Sequence, residues 1–166
     1  DVLVQLGYVA VDMLIEALHR PQIREKAARV LVRIGAPATG ALILALADPD
    51  IGDTVAGILE VIGEPAIDAL LAALGHNNAR VRERALMVLA TLGESAAPGL
   101  IGALAHPDDG VRLGAIDALT RIGRPITPLI TESLNDERYM VRLGAAEVLD
   151  RIGWKPETEE ETIRYL

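Results

Sequence analysis

A glycine preceded by Ile or Leu returns along the chain at spacings of 28 or 30 residues. The members of this series are Gly7, Gly35, Gly63, Gly93, Gly123 and Gly153. A proline follows three of these glycines two residues later, at Pro37, Pro65 and Pro125. Self-similarity at such a period is typical of repeat proteins, in which each unit buries its apolar face on its neighbours. The chain is therefore expected to be an array of similar units.

Each unit is predicted to contain two helices. In the second helix, apolar residues stand twelve, eight, five, four and one positions before the glycine, and this spacing marks one face of an α-helix. In the third unit these residues are Val81, Ala85, Val88, Leu89 and Leu92. The glycine is expected to close this helix in the left-handed conformation, and the proline is expected to open the next helix. The prediction is an all-α fold, an α/α superhelix of about five helix-pair repeats of 28–30 residues.

The predicted array covers residues 1–153. Its units are 7–34, 35–62, 63–92, 93–122 and 123–152. Polar turns at 48–50, 77–78, 107–109 and 135–136 are expected to cap the second helices, because Asp and Asn side chains accept hydrogen bonds from helix N-termini. Residues 154–166 are predicted to be the acidic, capped and truncated start of a further helix, with Thr158 and Glu161 as a capping box. Trp154 is expected to cover the end of the core.

The recurring segments resemble a known family. Ile34-Gly-Ala-Pro37, Ile62-Gly-Glu-Pro65 and Ile122-Gly-Arg-Pro125, together with a Val-Arg pair early in the second helix, are similar to the HEAT-like repeats first associated with phycobilin lyase subunits. The resemblance extends from about Leu6 to Gly153 and implies a HEAT-like solenoid. It does not imply one function, since repeats of this kind serve adaptors, lyase subunits and metalloenzymes.

The residue types exclude several kinds of catalytic chemistry. The chain has no cysteine, so disulfides, thiolate zinc sites and thiol nucleophiles are excluded. It lacks a Gly-x-Ser-x-Gly elbow, a Walker loop and a dinucleotide fingerprint. The resemblance includes an iron-dependent hydroxylase with paired His-Glu steps, and this sequence has no His-Glu dipeptide. We therefore predict a non-enzymatic protein without cofactor or metal.

Charge and hydropathy narrow the choice of partner. The net charge is −8, yet the predicted second helices hold twelve basic and twelve acidic residues. This mixed face disfavours nucleic acid, because phosphate binding needs clustered cations. The longest apolar run is far shorter than the roughly 18 residues of a membrane span, and no signal-like segment precedes it. We therefore expect a cytoplasmic protein that binds neither nucleic acid nor membrane.

One arginine recurs eleven positions before the glycine. Its four copies are Arg24, Arg82, Arg112 and Arg142, and Gly52 takes this place in the second unit. Because it flanks the buried stripe, this arginine is expected to form a structural ladder between repeats, bonded to an Asp or a carbonyl of a neighbouring turn. The second unit, with Gly52 and Gly57 and no basic residue, is expected to be the most irregular or most mobile.

The exposed positions of the second helices are predicted to bind a protein or peptide. Large apolar residues on an otherwise polar helix face indicate an interaction patch. The predicted partner-binding residues are Glu83, Met87, Leu113, Asp117, Tyr139, Leu143 and Glu147. The favoured function is a non-catalytic protein–protein interaction scaffold or adaptor. The alternative is a subunit of a bilin lyase-like or other enzyme-associated HEAT-repeat protein. End-to-end self-association of unfinished terminal repeats is also expected.

Overall fold

The computed structural model describes residues 2–156, with side chains described from residue 9 onward. Within this range the chain forms ten α-helices and no strand. The helices are α1 (Val2–Ala17), α2 (Arg24–Ile34), α3 (Thr39–Ala45), α4 (Gly52–Ile62), α5 (Ile67–Ala73), α6 (Ala79–Leu92), α7 (Ala97–Ala103), α8 (Asp109–Ile122), α9 (Thr127–Ser133) and α10 (Tyr139–Arg151). The predicted all-α fold is confirmed.

The helices pack in two layers. The even-numbered helices, α2 to α10, stack one on the next and form the second-helix layer. The odd-numbered helices stack beside them less extensively, and each packs on the second helix of its own unit. Such stacking gives short helices the apolar partner surface that a single pair lacks. The result is the predicted helical solenoid.

The closing glycines have a conformation that only glycine adopts readily. Gly35, Gly63, Gly93, Gly123 and Gly153 have φ between 59° and 73°. The ψ angles of the first four lie between −125° and −138°, whereas a left-handed residue needs a ψ of roughly +30° to +60°. The predicted left-handed conformation is therefore wrong, although φ is positive as expected. These glycines occupy the mirror image of the β region, because the chain enters a 3-10 turn immediately afterwards.

The first glycine of the series behaves differently. Gly7 lies inside α1, which runs from Val2 to Ala17, so it does not close a helix as the predicted first unit requires. Neither a proline nor a polar turn follows it in the sequence. A single glycine in a helix costs only about 1 kcal/mol relative to alanine, so the helix continues.

The core is a continuous row of aliphatic side chains. One leucine in every unit, four residues before the closing glycine, is completely buried. These residues are Leu31, Leu59, Leu89, Leu119 and Leu149. Burying such a side chain contributes roughly 1.5–3 kcal/mol. Trp154 is partly buried and packs against this core. The predicted capping box of Thr158 and Glu161 lies outside the described residues.

No single helix in residues 2–156 is long and apolar enough to cross a membrane. One pair of helical segments, Arg24–Ile34 and Ala36–Ala45, meets the length and composition requirements together, but its two members meet at 112°.

Candidate functional site

A shallow groove lies between α8 and α10 in the second-helix layer, with a volume of about 280 Å³. Its lining residues are Leu104, Asp109, Arg112, Leu113, Ile116, Met140, Leu143, Gly144 and Glu147. A cavity of roughly 150 Å³ is enough to hold benzene. The groove therefore has room for one large apolar side chain of a partner.

A glycine brings the floor of the groove close to α10. A Cβ atom added at Gly144 would lie 2.9 Å from Leu104 Cδ2, closer than side chains normally pack. Leu104, at the end of α7, is 1% exposed and fills the space under this glycine. One unit earlier, a Cβ at Gly114 would lie 3.1 Å from Leu74 Cδ2. The two glycines share the position nine residues before the closing glycine, and this recurrence was the sequence signal for close packing.

The sides of the groove are apolar and partly exposed. Leu113 on α8 is 54% exposed and Leu143 on α10 is 47% exposed. Met140, one turn before Leu143, is also exposed. Half-exposed aliphatic residues around a buried apolar floor are typical of an interaction site. The structure thus brings two predicted partner-binding leucines together in one groove.

Three other predicted residues lie outside the groove lining. Glu83 and Met87 are exposed on α6, one unit before the groove. Tyr139 is exposed at the start of α10, and its ring centre lies 5.7 Å from the Arg142 guanidinium carbon. This distance is within the range of a cation–π interaction. A role for these residues in binding stays a prediction.

Of the two remaining predicted residues, both acidic, Glu147 lines the groove and Asp117 does not. An arginine that was not predicted as a site residue joins them. Arg151 Nη1 donates to Asp117 Oδ1 at 2.6 Å, and Arg151 Nη2 donates to Glu147 Oε1 at 2.7 Å. Asp117 raises the pKa of Arg151, burial partly opposes this, and Glu147 adds to the rise. The first bond links α8 to α10, so Asp117 contributes to contact between units, whereas the second bond lies within α10. The spacing of four between Glu147 and Arg151 was the sequence signal for the second bond.

The recurring arginines bind the turn that precedes their own helix. Arg24 Nε donates to Leu18 O at 2.7 Å, and Arg82 Nη1 donates to His76 O at 2.7 Å. Arg112 and Arg142 make the corresponding bonds to the carbonyls six and five residues earlier. These carbonyls belong to the same unit as the arginine, so the predicted ladder between repeats is wrong in its connections. The arginines instead give donors to carbonyl groups that follow the end of the first helix.

The second unit obtains this donor from its neighbour. Gly52 has no side chain to offer, and Arg84 of α6 enters the space above it. Arg84 Nη1 donates to Leu46 O at 2.5 Å and to Asp48 O at 3.0 Å, and its Nε donates to Asp53 Oδ1 at 2.9 Å. This is the one place among residues 9–156 where an arginine bonds the carbonyls of another unit's turn. Arg84 of α6 thus supplies the hydrogen-bond donor that is missing at Gly52. The predicted mobility of the second unit stays a prediction.

The polar turns cap two of the second helices, α6 and α8, as predicted, whereas no side chain caps α4 or α10. Asn78 Oδ1 accepts a hydrogen bond from Arg80 N at 2.9 Å, and Asp108 Oδ1 accepts one from Val111 N at 3.2 Å. In the fifth unit, Asp136 accepts from the backbone N–H and from the side chain of Arg138. The Arg138 side chain, with that backbone bond, lowers the pKa of Asp136 to about 2.

An array of stacked helix pairs with a groove in one layer defines the class of α-solenoid repeat proteins. A family model for HEAT repeats matches residues 97–166, which include both walls of the groove. This match to residues 97–166 supports a HEAT-like repeat family. HEAT repeats generally mediate protein–protein interaction and are typically non-enzymatic. The narrower resemblance to phycobilin lyase-type repeats stays a prediction.

Neither the solved structures nor the curated proteins indicate a function for the chain. The crystal structure of an engineered protein is 18% identical, with 86% of this chain and 78% of that chain covered and a TM-score of 0.33. None of the curated proteins matches the chain.

Proposed function

We propose that the chain is a non-catalytic protein-interaction module, and that the groove between α8 and α10 receives one large apolar side chain from a peptide segment of a partner protein. The observation that carries this proposal is the exposure of Leu113 and Leu143, near one half each, on either side of the buried Leu104. The general role of HEAT repeats in protein–protein interaction supports it.

The exposed leucines allow an estimate of the binding energy. Complete burial of a leucine side chain is worth roughly 1.5–3 kcal/mol, so covering the exposed half contributes about 1 kcal/mol for each leucine. Replacing both by alanine should therefore cost about 2 kcal/mol of binding, which corresponds to about thirtyfold in Kd. Both residues are too exposed for the same change to remove much folding stability.

A peptide library displayed on phage tests the proposal. Peptides are selected on the wild-type protein, and their Kd is measured for wild type and for the Leu113→Ala, Leu143→Ala double variant. Leu44→Ala is the matched control, because Leu44 is 66% exposed but lies on α3 in the other layer. We expect selected peptides to contain a large apolar residue and to lose about thirtyfold in affinity only on the double variant. Equal binding to wild type and the double variant would exclude the groove.

Self-association belongs to the same proposal. A second apolar cleft lies along α1 and the turn after it, and includes Val9, Met13 and Ile23. Its exposed Met13 supports contacts between array ends. Light scattering should show a mass that rises with concentration for wild type and not for Met13→Lys, and a strict wild-type monomer at high concentration would contradict this. The cytoplasmic location stays a prediction.

A further inference from the structure

We propose that the partner segment is cationic as well as apolar, with Lys or Arg side chains flanking the residue that enters the groove between α8 and α10. This inference rests on the proposed function and adds the charge of the partner to it.

The arginines beside the groove are already engaged within the chain. Arg112 donates to His106 O and Pro107 O and pairs with Asp109 at one end of the groove. Beyond the other end, Arg151 pairs with both Asp117 and Glu147, and of these three residues only Glu147 lines the groove. Each cation thus faces at least one carboxylate of this protein, so an acidic partner would have to compete with those carboxylates.

The next arginine along α10 does not change this balance. Arg142 donates to Asp136 O and Glu137 O in the turn before α10 and lies against the Tyr139 ring. It is not among the residues that line the groove.

The carboxylates at the groove are more exposed than the arginines they bind. The side chain of Asp109 is 79% exposed, while that of its partner Arg112 is 22% exposed. Asp117 and Glu147 are 52% and 41% exposed, while Arg151 is 39% exposed. Asp109 and Asp117 are therefore the outer members of two of these three ion pairs, whereas Glu147 and Arg151 are about equally exposed.

The same carboxylates keep capacity to accept hydrogen bonds. The bonds from Arg151 are made to Asp117 Oδ1 and Glu147 Oε1. An ionised carboxylate has two oxygens with about four acceptor sites, so Asp117 and Glu147 can each accept a further donor. Among the residues that line the groove, Asp109 and Glu147 carry two negative charges and Arg112 carries one positive charge. An ammonium or guanidinium group supplies the missing charge and the donors at once.

Three labelled peptides test the inference by fluorescence anisotropy. They share the central sequence Ala-Leu-Leu-Ala and carry two Lys, two Ser or two Glu residues on each side. Each is titrated with wild type, Arg151→Gln, the Asp117→Asn, Glu147→Gln double variant and Glu25→Gln, at 25 and 300 mM NaCl. Glu25 is an exposed carboxylate on α2, far along the array, and serves as the control for net charge.

The expected order of affinity is Lys-flanked, then Ser-flanked, then Glu-flanked. At low salt the Lys-flanked peptide should bind at least fivefold more tightly than the Ser-flanked one. Arg151→Gln should widen this ratio about two- to fivefold, because it frees both carboxylates. The double variant should reduce the ratio to about one, and Glu25→Gln should leave it unchanged. High salt should narrow it, because the Debye length falls well below 10 Å.

The possible failures point to different conclusions. If all three peptides bind equally and all lose affinity on Leu113→Ala with Leu143→Ala, the groove binds partners but the cationic inference is overturned. The cationic inference is also overturned if the Glu-flanked peptide binds most tightly. It is likewise overturned if the ratio of Lys-flanked to Ser-flanked affinity is the same in Arg151→Gln and in the Asp117→Asn, Glu147→Gln double variant. If no peptide binds at millimolar concentration, both the inference and the proposed groove are overturned.

Discussion

The replacement of Gly52 by alanine is expected to destabilise the wild-type protein and to stabilise a variant that lacks the Arg84 side chain. An added Cβ at Gly52 would lie 2.1 Å from Arg84 Nη1 and 2.3 Å from Arg84 Cζ. The guanidinium group is the flexible end of a long side chain, so it moves away and the backbone stays in place. Arg84 then loses its bonds to Leu46 O, Asp48 O and Asp53.

The size of the effect follows from those bonds. Leaving partly buried carbonyl groups without a donor costs about 1–3 kcal/mol. Alanine in place of a helical glycine returns about 0.5–1 kcal/mol. Gly52→Ala should therefore lower the free energy of unfolding by about 1–2 kcal/mol in wild type. In the Arg84→Ala variant the bonds are already absent, so adding Gly52→Ala should raise the free energy of unfolding by about 0.5–1 kcal/mol.

Urea denaturation followed by circular dichroism measures all four proteins of this double-mutant cycle. Gly57→Ala is the matched control, since Gly57 is also in α4 but an added Cβ there meets no atom within 4 Å. It should stabilise both backgrounds by about 0.5–1 kcal/mol. If Gly52→Ala stabilises wild type as much as it stabilises Arg84→Ala, Arg84 does not make these bonds. If Gly57→Ala destabilises both, α4 is not the regular helix described.

Two further predictions concern the fifth unit. Asp136 should titrate by NMR with a pKa of about 2 in the folded protein, against about 3.9 in the unfolded chain. Its stabilising contribution is therefore present above pH 4 and lost as the pH falls towards 2, and a pKa that does not rise in Arg138→Gln would refute the assigned cause. Gly144→Ala should lower the free energy of unfolding by about 1–3 kcal/mol in thermal unfolding, because the new Cβ overlaps the leucine under the groove. Gly102→Ala should not lower the free energy of unfolding, because an added Cβ there meets open space. An equal loss of stability in Gly144→Ala and Gly102→Ala would show that the overlap at Gly144 is irrelevant.

The fold could be predicted because its signals are local. The apolar spacing before each closing glycine requires only a helix of the observed kind, and α2, α4, α6 and α8 end directly before Gly35, Gly63, Gly93 and Gly123. The ψ angle of these glycines depends on the direction of the next element, which the glycine motif does not specify. At Gly7 the helix continues, so the glycine alone does not end a helix, and α6 ends before Gly93 although Ser95 stands in place of the proline.

The site was predictable where exposure follows from helix periodicity. Leu113 and Leu143 were identified because they lie opposite the buried stripe, and the structure places both in one groove. Leu104 was missed because its place under Gly144 depends on how one unit sits on the next. The ion pair of Asp117 was not predicted because its partner, Arg151, is 34 residues away in the sequence.

The sequence did not predict that Arg84 compensates for Gly52, for a similar reason. In the third and fourth units the arginine stands eleven positions before the closing glycine, as Arg82 and Arg112. The following unit in each case has Gly114 or Gly144 nine positions before its own closing glycine. Between the second and third units these residue types are reversed, because the second unit has Gly52 at the arginine position and the third unit has Arg84 at the glycine position. Only the spatial neighbourhood of Gly52 and Arg84 shows that the two departures compensate each other.

This reversed pair makes the order of the repeats matter for genetic duplication and for protein engineering. A tandem copy of residues 63–92 would place the second Arg84 against the first Arg82, so two guanidinium groups would meet where the native array holds one. Copies of residues 93–122 carry Arg112 and Gly114 and would present no such conflict. The fourth unit can therefore serve as a building block for longer arrays, whereas the third is specific to the unit that precedes it.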